Sequence, residues 1–248
     1  MTSSPLQALI FDVDNTICET EELLHLPCYN ETRAFYGLAP WSSERFQEIC
    51  RVAGGMDRLR YAFSTEKNGP QNFDDEFIAE FYAKKTEIYQ QKVKESPPEM
   101  RGGVAEIIDA AHSAGLKLGI ASASAKPSVL ALLPGVLGER FNYFSAIFAG
   151  NDAEKKKPDP EIYQKCLKAL NVQPENVCVF EDTCHGLAAA KAAGCSCIVA
   201  FDNYSASQDF SQADFVCDDL ARAKVDLKFI EQIVARNAQL ASQKKPEN

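Results

Sequence analysis

Leu6-Gln7-Ala8-Leu9-Ile10-Phe11 runs straight into Asp12-Val13-Asp14-Asn15-Thr16. A short apolar run that stops at paired carboxylates reads as a buried strand whose carboxyl end carries polar side chains. Four more runs have this character: KLGIAS (117–122), SAIFAG (145–150), VCVFE (177–181) and CSCIVAF (195–201). Helical patterns stand around them, over Val104–Ala114, Pro127–Leu133, Glu161–Leu170, Gly186–Ala193 and Leu227–Ala241. Strands alternating with helices predict an α/β fold, a doubly wound parallel sheet with helices on both faces.

One segment breaks the alternation. Between Glu19 and Glu95 the patterns are helical only: Glu21–Tyr36, Ser43–Val52, Met56–Phe63 and Asp74–Val93, punctuated by GLAPWSS (37–43) and KNGPQN (67–72). This predicts a catalytic core of two discontinuous pieces, 1–18 and 97–248, with an all-α subdomain at 19–96 between them. SPP (96–98) is the expected return linker, because proline restricts itself and the residue before it. MTSS and SQKKPEN at the two ends read as frayed tails.

The 248 residues suffice for one large domain with an insert, and for a core that needs no disulfide or metal to fold. With 26 Lys and Arg against 35 Asp and Glu, the formal charge is −9, and no basic stretch offers nucleic acid or an anionic membrane a footing. No apolar run reaches membrane-spanning length and no signal or transit peptide is expected, so cytosol or plastid stroma are the expected compartments. Nine cysteines, an odd number without a C-x-x-C pair, read as free thiols in a reducing compartment. Cys195 and Cys197 share one strand face, a weak zinc candidate with no second ligand pair at finger spacing. A monomer is the simplest expectation for a core and insert of this size.

The chemistry concentrates where a parallel sheet binds ligands, at the carboxyl ends of its strands. Asp12 and Asp14 leave the first strand on one side of the chain and repel each other unless a cation lies between them. They could equally form an acidic turn that caps the next helix. Ser122 and the backbone at Ala123 close the second strand as an anion site, or Ser122 is a plain N-cap. Lys157, fixed by Pro158 and Pro160, follows the third strand and could instead belong to a solvated charge run. Glu181 and Asp182 close the fourth strand, where Asp182 also suits an N-cap.

Taken together, FDVDNT, GIASAS, KKPDPEIY and VFEDTCHGLAAAKAAG resemble the four motifs of the haloacid dehalogenase-like hydrolases, over about two thirds of the chain. E-D-T-x-x-G followed by A-A-x-x-A-G resembles the phosphatase and phosphomutase branch, and ETEELLHLPCYNE and GGMDR resemble CbbY-like sugar-phosphate phosphatases. The resemblance implies a Rossmann-like core, an α-helical cap and a Mg²⁺-dependent phosphatase acting on a small phosphorylated sugar, with xylulose 1,5-bisphosphate the favoured substrate. It implies Asp12 as nucleophile and Asp14 as general acid and base. Asp12, the Asp14 carbonyl, Asp182 and Glu181 would serve the metal, and Ser122, Ala123 and Lys157 the phosphoryl oxygens. Glu21, His25, Asn30 and Arg58 are the cap candidates for specificity, each also readable as a solvated or capping helix residue.

Two positions depart from the pattern. Asn15 stands where glycine is more usual, and asparagine tolerates the left-handed backbone that the turn requires. Met56 stands where such phosphatases carry a lysine for the distal phosphate, which leaves Arg58 as a replacement or points to a substrate with one phosphate. A sugar phosphomutase is the alternative, weakened because Ala125 follows the serine motif and the next basic residue is Lys126. A metal-free dehalogenase would not need Asp14 or the Glu181–Asp182 pair, and a non-catalytic binding protein would not need the whole set.

Overall fold

A computed structural model of the chain describes residues 5–52, 54–70 and 72–243; of the expected tails, 1–4 and 244–248 lie outside the described residues, while 242 and 243 continue the last helix. Six parallel strands form one sheet in the order β3-β2-β1-β4-β5-β6. They are β1 (Ala8–Phe11), β2 (Lys117–Ser122), β3 (Phe144–Ala149), β4 (Val177–Glu181), β5 (Ser196–Ala200) and β6 (Phe215–Cys217). Register is direct, with Phe11 beside both Ile120 and Phe180, so the loops after β1, β2 and β4 leave from one edge of the sheet. β6 was not expected: three residues on the sheet edge, half-exposed, leave too little apolar periodicity to read.

The strands are apolar throughout because both faces are covered. Leu9, Phe11, Ile120 and Phe180 pack against α5 (Val104–Ser113), α6 (Lys126–Leu137) and α9 (Leu227–Gln243), while Ala8, Ile10, Val179 and Val199 pack against α7 (Glu161–Leu170) and α8 (Cys184–Ala192). Between β1 and β2 the chain is helical, as expected, through α1 (Leu26–Phe35), α2 (Ser43–Ile49), α3 (Gly55–Thr65) and α4 (Asp75–Glu95). This insert has its own aromatic core around Tyr29, Trp41, Phe46, Phe63 and Phe81. The expected helix Glu21–Tyr36 begins instead with a π-helical turn at Glu21–His25. Pro27 has no N–H for the carbonyl four residues back, so the α ladder cannot extend across it, and the wider turn precedes α1.

No helix among the described residues is long and apolar enough to cross a membrane. All nine cysteines are free, seven of them buried, with Cys50 and Cys184 partly exposed.

Candidate active site

The three carboxylates at the strand ends converge. One oxygen each from Asp12, Glu181 and Asp182 lies within 4.8 Å of the others, and all three residues are buried. Lys157 reaches the same point from the loop before α7. Its Nζ donates to Asp12 Oδ1 at 2.6 Å, to Glu181 Oε1 at 2.5 Å and to the Ala121 carbonyl at 2.9 Å. Tyr163, on the first turn of α7, donates its hydroxyl to the same Glu181 oxygen at 2.5 Å. The other Glu181 oxygen accepts from the Asp182 N–H and the Thr183 hydroxyl. Gly186 makes room for this carboxylate, since a β-carbon there would lie 1.9 Å from Glu181 Cδ.

Burial raises the Asp12 carboxyl to about 7, with Glu181 and Asp14 adding to the rise and Lys157 opposing it. Burial, then Glu181 and Asp12, push Asp182 well above the carboxylate range. Burial would depress Lys157, yet Asp12 and Glu181 hold its ammonium firmly charged. One ammonium cannot balance three carboxylates, and Glu181 already has four hydrogen-bond partners. Asp182 takes no side-chain hydrogen bond from any described residue. The donor set therefore fits a hard divalent cation held chiefly by Asp12 and Asp182, and its all-oxygen chemistry does not suit zinc.

Asp14 faces the insert. Its Oδ1 accepts from the Thr20 hydroxyl at 2.6 Å and lies 3.0 Å from His25 Nε2, and its Oδ2 accepts from the Ser124 hydroxyl. Burial acts against ionisation, but His25, Ser124 and Thr20 hold this carboxyl far below the usual range. His25 Nδ1 in turn lies 2.6 Å from Lys85 Nζ. An ammonium can only donate, so Nδ1 accepts and the proton on Nε2 points at Asp14. Asn15 adopts the left-handed conformation, φ 56°, as its side chain allows.

Above the carboxylates a cavity of about 110 Å³ separates core from insert. Asp12, Asp14, Lys157 and Asp182 line it from the core, and Glu21, His25, Arg58 and Lys85 from the insert. Arg58 Nη1 bonds both oxygens of Glu21 at 3.0 Å, which keeps Glu21 ionised despite its burial. Gly54 and Gly55 bring the amino end of α3 to the same wall.

Two sequence candidates are placed elsewhere. Asn30 does not reach the cavity. Its Nδ2 donates to the Trp41 carbonyl at 2.9 Å and its Oδ1 accepts from the Trp41 N–H at 2.7 Å, so the amide is spent bracing a loop of the insert. Ser122 is fully buried and accepts the Ser124 N–H, while Ala123 and Ser124 line the cavity instead. Met56 packs against the insert's aromatic core.

Sequence reasoning missed Lys85, Ser124, Thr20 and Tyr163. Lys85 left a signal, because it lies on the stripe Ile78, Phe81, Ile88 and Tyr89 of α4, where a lysine has no reason to stand unless its charge is used. It is 2% exposed and stacks between the Tyr29 and Tyr89 rings at 4.9 and 4.8 Å. Burial lowers its ammonium to about 8. Buried Arg33 pairs with Glu66, Arg58 with Glu21, and Lys157 with Asp12 and Glu181. Among the described residues Lys85 is the buried cation without a carboxylate.

Comparison with known proteins agrees with this geometry. The chain is similar to the CbbY protein of Rhodobacter capsulatus, 37% identical over 220 residues that cover 88% of this chain and 95% of that one. It is 31% identical over 189 residues to a phosphorylated carbohydrates phosphatase of Thermotoga maritima, covering 76% of this chain and 82% of that one. A crystal structure of a CbbY mutant from Rhodobacter sphaeroides in complex with xylulose-(1,5)bisphosphate superposes with a TM-score of 0.82 at 35% identity, covering 90% of this chain and all of that one. Residues 6–194 match the family model, and with the carboxylate-bearing strand ends and the helical insert in place, the chain belongs to the haloacid dehalogenase-like hydrolases.

Proposed function

We propose that this hydrolase is a Mg²⁺-dependent phosphatase of small sugar phosphates, and that a bisphosphate of the xylulose 1,5-bisphosphate kind is its substrate. The observation that carries the reading is the pairing, across one cavity, of the Asp12–Lys157–Asp182 cluster with the unpaired buried cation Lys85. A sugar bisphosphate has an anion for each end, and a relative of known structure binds one.

Asp12 and Asp182 would hold Mg²⁺, which supplies charge to the phosphoryl oxygens during transfer. Asp12 attacks phosphorus and becomes an aspartyl phosphate, while the sugar oxygen leaves. Asp14 is ionised before substrate binds, so it takes up a proton as the phosphate ester enters beside it, gives that proton to the leaving oxygen and then accepts one from the water that hydrolyses the intermediate. The Ser124 hydroxyl and the Lys157 ammonium face the transferring oxygens and replace solvent there. On the other wall, Lys85, Arg58 and the amino end of α3 receive the second phosphate, a task for which Met56 has no charge. The insert acts as a cap that excludes bulk water from the intermediate. A mutase would need further cations on the core side, but Lys126 is bound to Asp152 at 2.8 and 3.0 Å.

The test is phosphate release from a panel of sugar phosphates with Mg²⁺. Asp12→Asn is expected to abolish turnover while the protein stays folded. Lys85→Met is expected to raise KM for a bisphosphate by about tenfold to a hundredfold more than for a monophosphate, the worth of one charge-assisted contact, while any effect through His25 and Asp14 falls on kcat for both substrates. An equal change of KM on both substrates would remove Lys85 from the distal site, and turnover by Asp12→Asn at the parent rate would sink the nucleophile assignment.

A further inference from the structure

The cap is joined to the core by two chain crossings, near residues 17–20 and 96–100. They touch each other through an antiparallel bridge between Cys18 and Met100 and a bond from the Arg101 N–H to the Ile17 carbonyl at 2.8 Å. A lid on such a hinge swings unless something else holds it. The cap also packs on the core through an apolar cluster that joins Leu24, Ile88, Tyr89 and Val93 to Val129, Leu132 and Leu133 of α6, and the core supplies a further contact far away in sequence. The loop after β5, Asp202-Asn203-Tyr204-Ser205, rises against the cap. The Tyr204 ring packs edge-on against Phe46 of α2, centroids 6.0 Å apart at 75°, and joins the cap's aromatic cluster. Its hydroxyl donates to the Glu22 carboxylate, and Gln47 Nε2 donates to the Asn203 carbonyl at 2.6 Å.

The loop is built to be stiff. Asp202 Oδ1 accepts the N–H groups of Tyr204 and Ser205 and the Ser205 hydroxyl, at 2.9, 3.0 and 3.0 Å. Its Oδ2 accepts Nδ2 of Asn15 at 2.6 Å. The other end of the Asn15 amide accepts the Thr20 and Glu21 N–H groups at 2.9 and 3.1 Å, where the cap begins. Asn15 therefore joins three things: the loop carrying Asp12 and Asp14, the first turn of the cap, and the loop carrying Tyr204. A glycine at position 15 would join none of them.

We propose that Tyr204 is a positioning residue, a latch on the core that holds the cap closed over the cavity, and that Asn15 couples this latch to the Asp12–Asp14 loop. Thr20 and His25 ride on the cap and hold Asp14 from that side. Releasing the latch frees Asp14 from both at once. The ring contact restrains cap opening, and the Asp202 and Asn15 bonds keep the ring in place.

The test reads cap opening without needing turnover, so it stands apart from the phosphatase assignment. Lys85 lies on the cap wall of the cavity, 2% exposed, and becomes reachable when the cap opens. Trace acetylation of the full chain, resolved by site with exposed Lys155 as reference, is compared for the parent, Tyr204→Ala, Tyr204→Phe and Gln47→Ala. Lys85 is expected to react about three- to tenfold faster in Tyr204→Ala, the factor expected of one aromatic pair, and less so in the two milder variants, while Lys157 stays protected by Asp12 and Glu181. Where activity is present, KM rises by a similar factor and kcat stays within twofold. Unchanged reactivity at Lys85 relative to Lys155 overturns the latch. If Tyr204→Ala loses helicity, Tyr204→Phe and Gln47→Ala decide on the same criterion.

Discussion

Asp12 shows how closely function and stability compete at a single residue. Its folded pKa of about 7 exceeds the ordinary 3.8, so between those values the folded state binds the proton more tightly than the unfolded chain does. Ionised Asp12 therefore costs stability, and that cost grows as pH rises through the window. Without divalent metal, the melting temperature is expected to fall between pH 5 and 8. Asp12→Asn should flatten this slope and exceed the parent at pH 8, and Mg²⁺ should raise the parent's melting temperature more at pH 8 than at pH 5. Differential scanning calorimetry at the two pH values checks all three, and identical slopes for parent and variant would show that Asp12 is not the group responsible. The clustering of Asp12, Asp14, Glu181 and Asp182 was legible because each stands at or just past a strand end, where one-dimensional spacing predicts three-dimensional place, and Lys157 follows β3 on a loop that Pro158 and Pro160 fix. Lys85 and Asn30 were not legible. Whether a helical lysine enters a cavity, or an asparagine spends its amide on Trp41, depends on which face the neighbouring helices cover.

At the scale of elements, five strands and the helices were readable because their apolar periods are strong, and the exceptions have local causes. The helical pattern expected over Pro127–Leu133 continues, as α6, through Pro134 to Leu137. The carbonyl that Pro134 leaves without a donor belongs to Leu130, which is 42% exposed and open to water. Gly135 is needed because the return linker packs there, with Pro97 2.9 Å from where a β-carbon would stand. The junction of β4 and α8 is tighter still. Thr183 caps α8 by accepting the Gly186 N–H at 3.2 Å, and this draws the first turn over the Glu181 carboxylate. Gly186→Ala is therefore expected to displace Glu181 from Lys157 and Tyr163. Stability should fall by more than about 3 kcal/mol in urea unfolding, and activity at least a hundredfold. A variant of parental stability would mean that α8 can retreat from the sheet without cost.

In the whole molecule, pieces distant in sequence are held together by a few polar hubs rather than by the apolar core alone. Arg101, just past the return linker, donates to the carbonyls of Asn15, Ala200, Phe201 and Asp218, and so ties the loop after β1 to the ends of β5 and β6. Arg101→Met keeps the stem but leaves these carbonyls to water. It is expected to lower stability by about 2–4 kcal/mol and to loosen the Asn15 loop, seen as faster hydrogen exchange at Thr20 and Glu21. Unchanged exchange there would confine Arg101 to the sheet edge. By itself the sequence determined the parallel sheet, the helical insert and the carboxylate-bearing strand ends, because these follow from local apolar periodicity and from the fixed edge at which such strands release their loops. Only the tertiary structure decided which side of the insert faces that edge. It put Lys85 in the cavity in place of Met56, set Ser124 rather than Ser122 against Asp14, and brought Tyr204 onto the cap. These outcomes depend on contacts between segments tens of residues apart, which packing selects and spacing along the chain does not encode.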